Sequence, residues 1–344
     1  MGPATPPSYL SAYPDRYARD PRGAAKAWFR DARYGLFLHY GLYSLLGRHE
    51  WVQCTEKIPV AEYARLKDRF TAKRFDAAGI ARFARQAGFR YVNLTTRHHD
   101  SFCLFKTEQT DFNSLNSPCG RDLVGELAEA CAQEGLGFFL YYSHGRDWKH
   151  PHAPNNDAWG GSARPEYDPP EPSYAYGADH DLQHYLDFMA AQIEELLSQY
   201  GPVAGIWLDG YLVPKSGDTA RFRCQDLYDR IHAAQPQVLV SYKDGLLGTE
   251  DFFTPEHDAD KVSGTYIREV CTTMAKDKSW GYTKASRGNH LSAGEVWAKL
   301  EQASRQKANL LLNTAPLPDG SLDPEDTEVL LDVGTRIRKQ GFPR

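Results

Sequence analysis

Short apolar runs alternate with amphipathic stretches along most of this chain. "YGLFLHYG" (34–41), "FRYVNLTTRHHD" (89–100), "LGFFLYYS" (136–143), "PVAGIWLDG" (202–210), "QVLVSYKDG" (237–245) and "ANLLLNTAP" (308–316) concentrate aliphatic and aromatic residues. They read as strands. Between them, 75–88, 121–135, 179–201, 219–236 and 292–307 carry apolar residues at helical spacing, and a closing helix, 323–341, follows the last strand. Alternating strands and helices build parallel βαβ units. In this number, and with polar tips on the strands, they predict an α/β fold of the (β/α)8-like TIM-barrel type, with room for irregularity. An open doubly wound sheet is the alternative. No GxGxxG or GxxxxGK[ST] follows a strand, which takes weight from nucleotide-binding versions.

Two stretches break the period. Residues 50–63 follow the first strand. Residues 145–179, "GRDWKHPHAPNNDAWGGSARPEYDPPEPSYAYGAD", are full of Pro, Gly and aromatics. Such a loop is too aromatic for a plain linker and reads as one wall of a pocket. Residues 1–26, rich in Pro and small polar side chains, read as a disordered leader, and 27–344 as a single catalytic barrel domain.

Composition adds exclusions. A net charge of -5 argues against a nucleic-acid partner or an acidic membrane surface. No run approaches the roughly 20 apolar residues needed to cross a bilayer. The N-terminus lacks a basic start followed by an apolar stretch, so the chain as written reads as cytoplasmic, or as periplasmic or secreted if a signal has been removed. The six cysteines are scattered without a CxxC pair, which favours free thiols.

The strand tips carry the chemistry. The first strand ends in His39. The second ends in Arg97, His98, His99 and Asp100, the third in Tyr141, Tyr142 and Ser143. "GIWLDG" ends in Asp209 with Trp207 two residues before it, and "SYKDG" brings Lys243 and Asp244. "EDFFTPEH" adds Glu256 and "DKSWGY" adds Trp280. In a barrel the site lies at this end. Imidazoles, carboxylates and indoles on one rim suit a neutral polyol, that is, a sugar. Taken singly, each residue has a plainer role. Asp209 could be a turn or cap residue, His39 and Trp280 core residues, and Glu50-Trp51 an exposed loop pair. His98 and His99 could ligate a metal, but neighbours on an extended strand face opposite ways.

"YGLFLHYGLYS", "HEW", "NLTTRHHDSFCLF", "DFNS", "RDLVGEL", "LYYS", "GIWLDG", "DFFTPE", "SWGY" and "NLLLNTAPLPDG" stand in this order from about residue 27 to residue 340. This set resembles the retaining α-L-fucosidases of glycoside hydrolase family 29. The resemblance implies hydrolysis of terminal α-L-fucose from a glycoside or fucosylated oligosaccharide by double displacement, without cofactor or metal. It implies Asp209 as nucleophile and Glu256 as acid/base, with Glu50 as the other candidate for that role. His39, Glu50, Trp51, His98, His99 and Tyr141 match residues that bond to or pack on the fucose. Trp280 matches an aromatic near its methyl group, and Trp207 stands beside Asp209 in the wall. Lys243 stands where many relatives carry Arg, which replaces a bidentate contact with a point charge. Two other classes compete: a non-catalytic fucose- or galactose-binding barrel, and a metal-dependent hydrolase built on His39, His98, His99 and Asp209. Linkage preference and oligomeric state stay open.

Overall fold

The computed structural model describes residues 5–160, 163–257 and 266–343. Seven parallel strands form one sheet: β1 Tyr34–Leu38, β2 Tyr91–Arg97, β3 Gly137–Ser143, β4 Gly205–Asp209, β5 Leu239–Tyr242, β6 Arg268–Thr273 and β7 Ala308–Thr314. They pair in the order β5-β4-β3-β2-β1-β7-β6. The first strand therefore lies between the second and the seventh, which curls the sheet into an α/β barrel. Between β5 and β6 the wall is irregular. Single bridges link Lys243 to Thr254, Phe253 to Arg268 and Glu256 to Cys271. Pro255 has no N–H for a regular ladder there, and its carbonyl instead accepts from the Cys271 N–H.

Helices α1 Pro21–Ala32, α2 Ala77–Gln86, α3 Leu123–Gln133, α4 Leu182–Gln199, α5 Cys224–Ala234, α6 Ala293–Arg305 and α7 Pro324–Gln340 account for most of the helical chain. The N-terminal ends of α2, α3 and α4 are capped by Asp76, Asp122 and Asp181, and α6 opens on a capping box of Ser292 with Glu295. Strand side chains alternate between two cores. Leu36, Leu38, Val92, Leu94, Leu140, Ile206 and Leu208 face the helices. Phe37, Tyr91, Phe139, Tyr141, Trp207, Leu239 and Leu311 fill the barrel interior. Gly35 is required by this filling, because a Cβ there would lie 2.2 Å from the Tyr91 ring.

Two features differ from the sequence reading. The first is β6, where "REVCTT" offers no clean apolar run. Its Glu269 carboxyl is accommodated inside the barrel by hydrogen bonds from Tyr91 and Trp207. The second is the stretch read as a disordered leader. Tyr9 and Leu10 are buried, and Trp28 and Phe29 of α1 join the interior core. The Tyr9 ring sits 4.7 Å from Trp28, and Phe29 lies 5.4 Å from Phe139. The expected boundary at residues 26 and 27 falls inside α1. A few aromatic residues, diluted by Pro and small polar neighbours, are enough to dock this segment.

Candidate active site

A cavity of about 330 Å³ is bounded by all eleven residues expected at the site: His39, Glu50, Trp51, His98, His99, Tyr141, Trp207, Asp209, Lys243, Glu256 and Trp280. Phe37, Arg146, Cys271 and Lys278 complete its lining. A larger cavity, about 490 Å³, lies among Arg30, Arg33, Leu300, Lys307 and Phe342, and neither a carboxylate nor an imidazole lines it. Of these two cavities, the smaller one gathers the carboxylates and imidazoles.

Other polar tips face elsewhere. The register shifts between Thr95 and Arg97, and Arg97 turns away from the cavity. There it pairs with Asp147 and donates 2.8 Å to the Ser143 carbonyl, fully buried. Asp100 accepts from the Tyr63 hydroxyl at 2.8 Å, and Tyr142 donates to Gln192 at 2.7 Å. Because β2 ends at Arg97, strand alternation does not govern His98 and His99. Their rings lie side by side, 4.2 Å apart, and both reach the cavity.

Hydrogen bonds fix the protonation of two imidazoles. Asn313 Nδ2 donates to the Trp280 carbonyl at 2.8 Å, so its Oδ1, 2.7 Å from His39 Nδ1, is the acceptor. His39 therefore carries its proton on Nδ1 and keeps a lone pair on Nε2. Ser143 Oγ donates to the Arg146 carbonyl at 2.7 Å and so accepts from His99 Nδ1 at 2.6 Å. His99 Nε2 is then also a bare acceptor, 3.7 Å from Asp209 Oδ2. Two acceptors at that spacing ask for a hydroxyl that can donate to either. Burial lowers the pKa of His39 to about 4 and drives those of His98 and His99 well below the ordinary histidine range. All three rings are neutral at neutral pH.

Asp209 ends β4 at a tight turn. Gly210 follows with φ +92°, and a Cβ on it would lie 2.9 Å from the Gly145 Cα. The Gly210 N–H donates to Asp209 Oδ1 at 2.6 Å and the Tyr141 hydroxyl to Oδ2 at 2.8 Å. Burial alone would raise this carboxyl. The Lys243 and Arg146 charges, with those two hydrogen bonds, outweigh it and hold Asp209 below the usual aspartate range. Glu256 accepts from Trp280 Nε1 at 2.9 Å and pairs with Lys243 Nζ at 2.9 Å. Burial opposes its ionisation too, but Lys243 again prevails and lowers it. Glu50 is raised, by burial first and also by the nearby Glu256, although the Trp280 and Gly281 N–H groups donate to its Oε2 at 3.1 and 2.8 Å.

Tertiary contacts also supply what the strand tips did not show. Arg146 opens the aromatic loop, is buried, and lies over the Trp51 ring at 5.1 Å. Trp51 in turn meets Trp148 edge-on at 5.1 Å. The sequence predicts that this loop walls the pocket through its aromatics; it reaches the cavity through Arg146 instead, while Trp148 packs behind Trp51. Cys271 lies on the unrecognised strand β6, and Lys278 stands two residues before Trp280. Among the described residues, no set of three His, Cys, Asp or Glu side chains has the geometry to hold a metal ion. No helix among them is long and apolar enough to cross a membrane.

An α/β barrel with carboxylates, neutral imidazoles and indoles around a monosaccharide-sized cavity defines a glycoside hydrolase. The chain belongs to the alpha-L-fucosidase family, whose model matches residues 11–341. It is 26% identical over 374 residues to the tissue alpha-L-fucosidase of Bos taurus, covering 98% of this chain and 71% of that one. Alpha-L-fucosidase isoenzyme 1 from Paenibacillus thiaminolyticus superposes with a TM-score of 0.83 at 32% identity, over 93% of this chain and 77% of that one. The alpha-L-fucosidase AlfC from Lactobacillus casei, in complex with its α-L-fucose product, gives 0.79 at 29% identity, over 92% and 98%. The protein is thus an α-L-fucosidase by family, and its reaction is the hydrolysis of α-L-fucosides.

Proposed function

We propose that the enzyme is a retaining exo-α-L-fucosidase in which Asp209 is the nucleophile and Glu256 the acid/base. The observation that carries this reading is the placement of Asp209. It is oriented by hydrogen bonds from Tyr141 and Gly210 and faces the same cavity as a second carboxyl. Asp209 attacks the anomeric carbon while Glu256 gives its proton to the leaving oxygen. The resulting fucosyl ester is hydrolysed by a water from which Glu256 removes a proton. The lone pairs of His39 and His99 accept from sugar hydroxyls, and Phe37, Trp207 and Trp280 give the 6-deoxy methyl group an apolar seat. A wrong sugar that leaves one such buried group unpaired costs about 1–3 kcal/mol. The AlfC relative has also been captured with Fuca(1,6)GlcNAc and with a 4-nitrophenyl fucoside, which supports fucosylated glycans and aryl fucosides as substrates.

Lys243 favours the ionised form of Glu256, the form needed for the second half-reaction. The first half-reaction needs its proton. A sugar that covers the site removes water and strengthens burial, which favours protonated Glu256. The raised pKa of Glu50 favours a second assignment, with Glu50 as the acid. Hydrolysis of 4-nitrophenyl α-L-fucoside by wild type, Asp209→Ala, Glu256→Ala and Glu50→Ala decides between them. Asp209→Ala should lose all but residual turnover, and azide should then yield the β-fucosyl azide. Glu256→Ala should lose about 10²–10⁴-fold on substrates with poor leaving groups, with azide giving the α product. Azide rescue of Glu50→Ala in place of Glu256→Ala moves the acid to Glu50. A wild type that binds fucose but cleaves no α-L-fucoside removes the enzyme reading in favour of a sugar-binding barrel.

A further inference from the structure

Below the cavity floor lies a carboxyl that the reaction does not use. Glu269 projects from β6 into the barrel interior and is 1% exposed. Trp207 Nε1 donates to its Oε1 at 3.0 Å, and the Tyr91 hydroxyl donates to its Oε2. The three residues come from β6, β4 and β2, so the contact ties strands across the barrel rather than along its wall. Trp207 reaches the cavity. Its ring stacks on Tyr141 at 5.4 Å with 25° between planes, and Phe37 meets it edge-on at 5.4 Å. Tyr141 is the residue whose hydroxyl orients Asp209.

We propose that Glu269 is a positioning residue for fucoside cleavage: it clamps the Trp207 indole by its N–H and, through the Trp207–Tyr141 stack, sets the place of the Asp209 carboxylate. The inference rests on Asp209 and its cavity being the fucoside site. An indole has one polar atom, and fixing that atom fixes the rotation of the ring. An apolar side chain at 269 could fill the space but would leave two buried donors unpaired. Burial raises the Glu269 carboxyl to about 7 against the hydrogen bonds it accepts. Glu269 therefore spends part of the neutral range uncharged, which suits a geometric role better than an electrostatic one.

Two conservative variants separate those roles. Glu269→Gln keeps the length and one acceptor oxygen, for the Trp207 N–H, and loses the charge; its amide N–H takes the second position, where the Tyr91 hydroxyl can turn to accept from it. Glu269→Asp keeps the charge but withdraws the acceptor by one methylene. The clamp predicts that Glu269→Gln stays within about threefold of wild type in kcat/KM for 4-nitrophenyl α-L-fucoside. It predicts that Glu269→Asp loses roughly ten- to a hundredfold, mainly in kcat, as expected of an ångström-scale misplacement. In a Trp207→Phe background, which has no N–H to hold, the Asp substitution should cost less than about twofold. The reverse ranking of Gln and Asp, or an equal loss in both backgrounds, overturns the proposal. A second readout needs no turnover. The Trp207 indole N–H resonance, assigned by its disappearance in Trp207→Phe, should titrate near pH 7 in wild type and not in Glu269→Gln. An indole signal that ignores the state of residue 269 refutes the clamp even if Glu269→Asp does not fold. Loss of fucoside turnover in wild type would instead count against the fucosidase site.

Discussion

Replacing Lys243 by Met tests how the two carboxyl groups are tuned. Met keeps most of the length and removes the charge. Lys243 Nζ lies 2.9 Å from Glu256 Oε2, with the two side chains 19% and 28% exposed. At that distance Coulomb's law gives roughly 3–6 kcal/mol for an effective dielectric of about 40 to 20. Burying the ammonium offsets part of this, so the expected change is about 1–3 pKa units, or roughly 1.4–4 kcal/mol. The sign follows from the direction of the shift. Lys243 holds Glu256 below its ordinary value, so its removal raises Glu256. The assay is kcat/KM for an aryl α-L-fucoside against pH, whose two limbs report the free enzyme's base and acid. If Glu256 is the acid, the descending limb moves up by about 1–3 units. The ascending limb, set by Asp209, also rises, but less, because Arg146, Tyr141 and Gly210 still support that carboxylate. A Glu50 acid gives the opposite result. Glu256 takes up a proton when Lys243 is lost, its like charge no longer raises Glu50, and the descending limb falls. A descending limb that falls or stays refutes the assignment of Glu256.

Two further predictions follow from the same network. Tyr141→Phe removes the 2.8 Å hydrogen bond to Asp209 Oδ2, so the ascending limb should move to higher pH and kcat/KM should drop by roughly 1.5–3 kcal/mol, about ten- to a hundredfold; an unchanged ascending limb contradicts the role given to Tyr141. Asp147→Ala strands the fully buried Arg97 charge and should cost about 3–5 kcal/mol in urea unfolding. Burial opposes ionisation of Asp147, but Arg97 holds its pKa below the ordinary value, so this stability is present above about pH 4 and is lost as pH falls through the folded-state value. A cost below about 1 kcal/mol at neutral pH would show that the pair contributes little.

Much of the barrel is written in local pattern. Six strands and their helices announce themselves because burial on both faces demands continuous apolar runs, and helix faces demand a 3.6-residue period. The site residues are legible for a related reason. A barrel gathers its reactive polar residues where strands end, so His39, Asp209 and Lys243 stand out against apolar neighbours. What pattern could not show depends on contacts between distant segments. Strand β6 carries a carboxyl in its middle, and Tyr91 and Trp207, 178 and 62 residues away, supply hydrogen bonds that make its burial tolerable. The N-terminal segment docks because the barrel's lower end offers an aromatic surface that no local window contains. Strand tips alone could not separate Arg97, which pairs with Asp147 behind the sheet, from His98 and His99, which face the cavity. Nor could they assign protonation. Composition lists the ionisable groups, but the lone pairs on His39 and His99 and the opposed shifts of Glu50 and Glu256 are set by burial and partners. Those exist only once the chain has closed on itself.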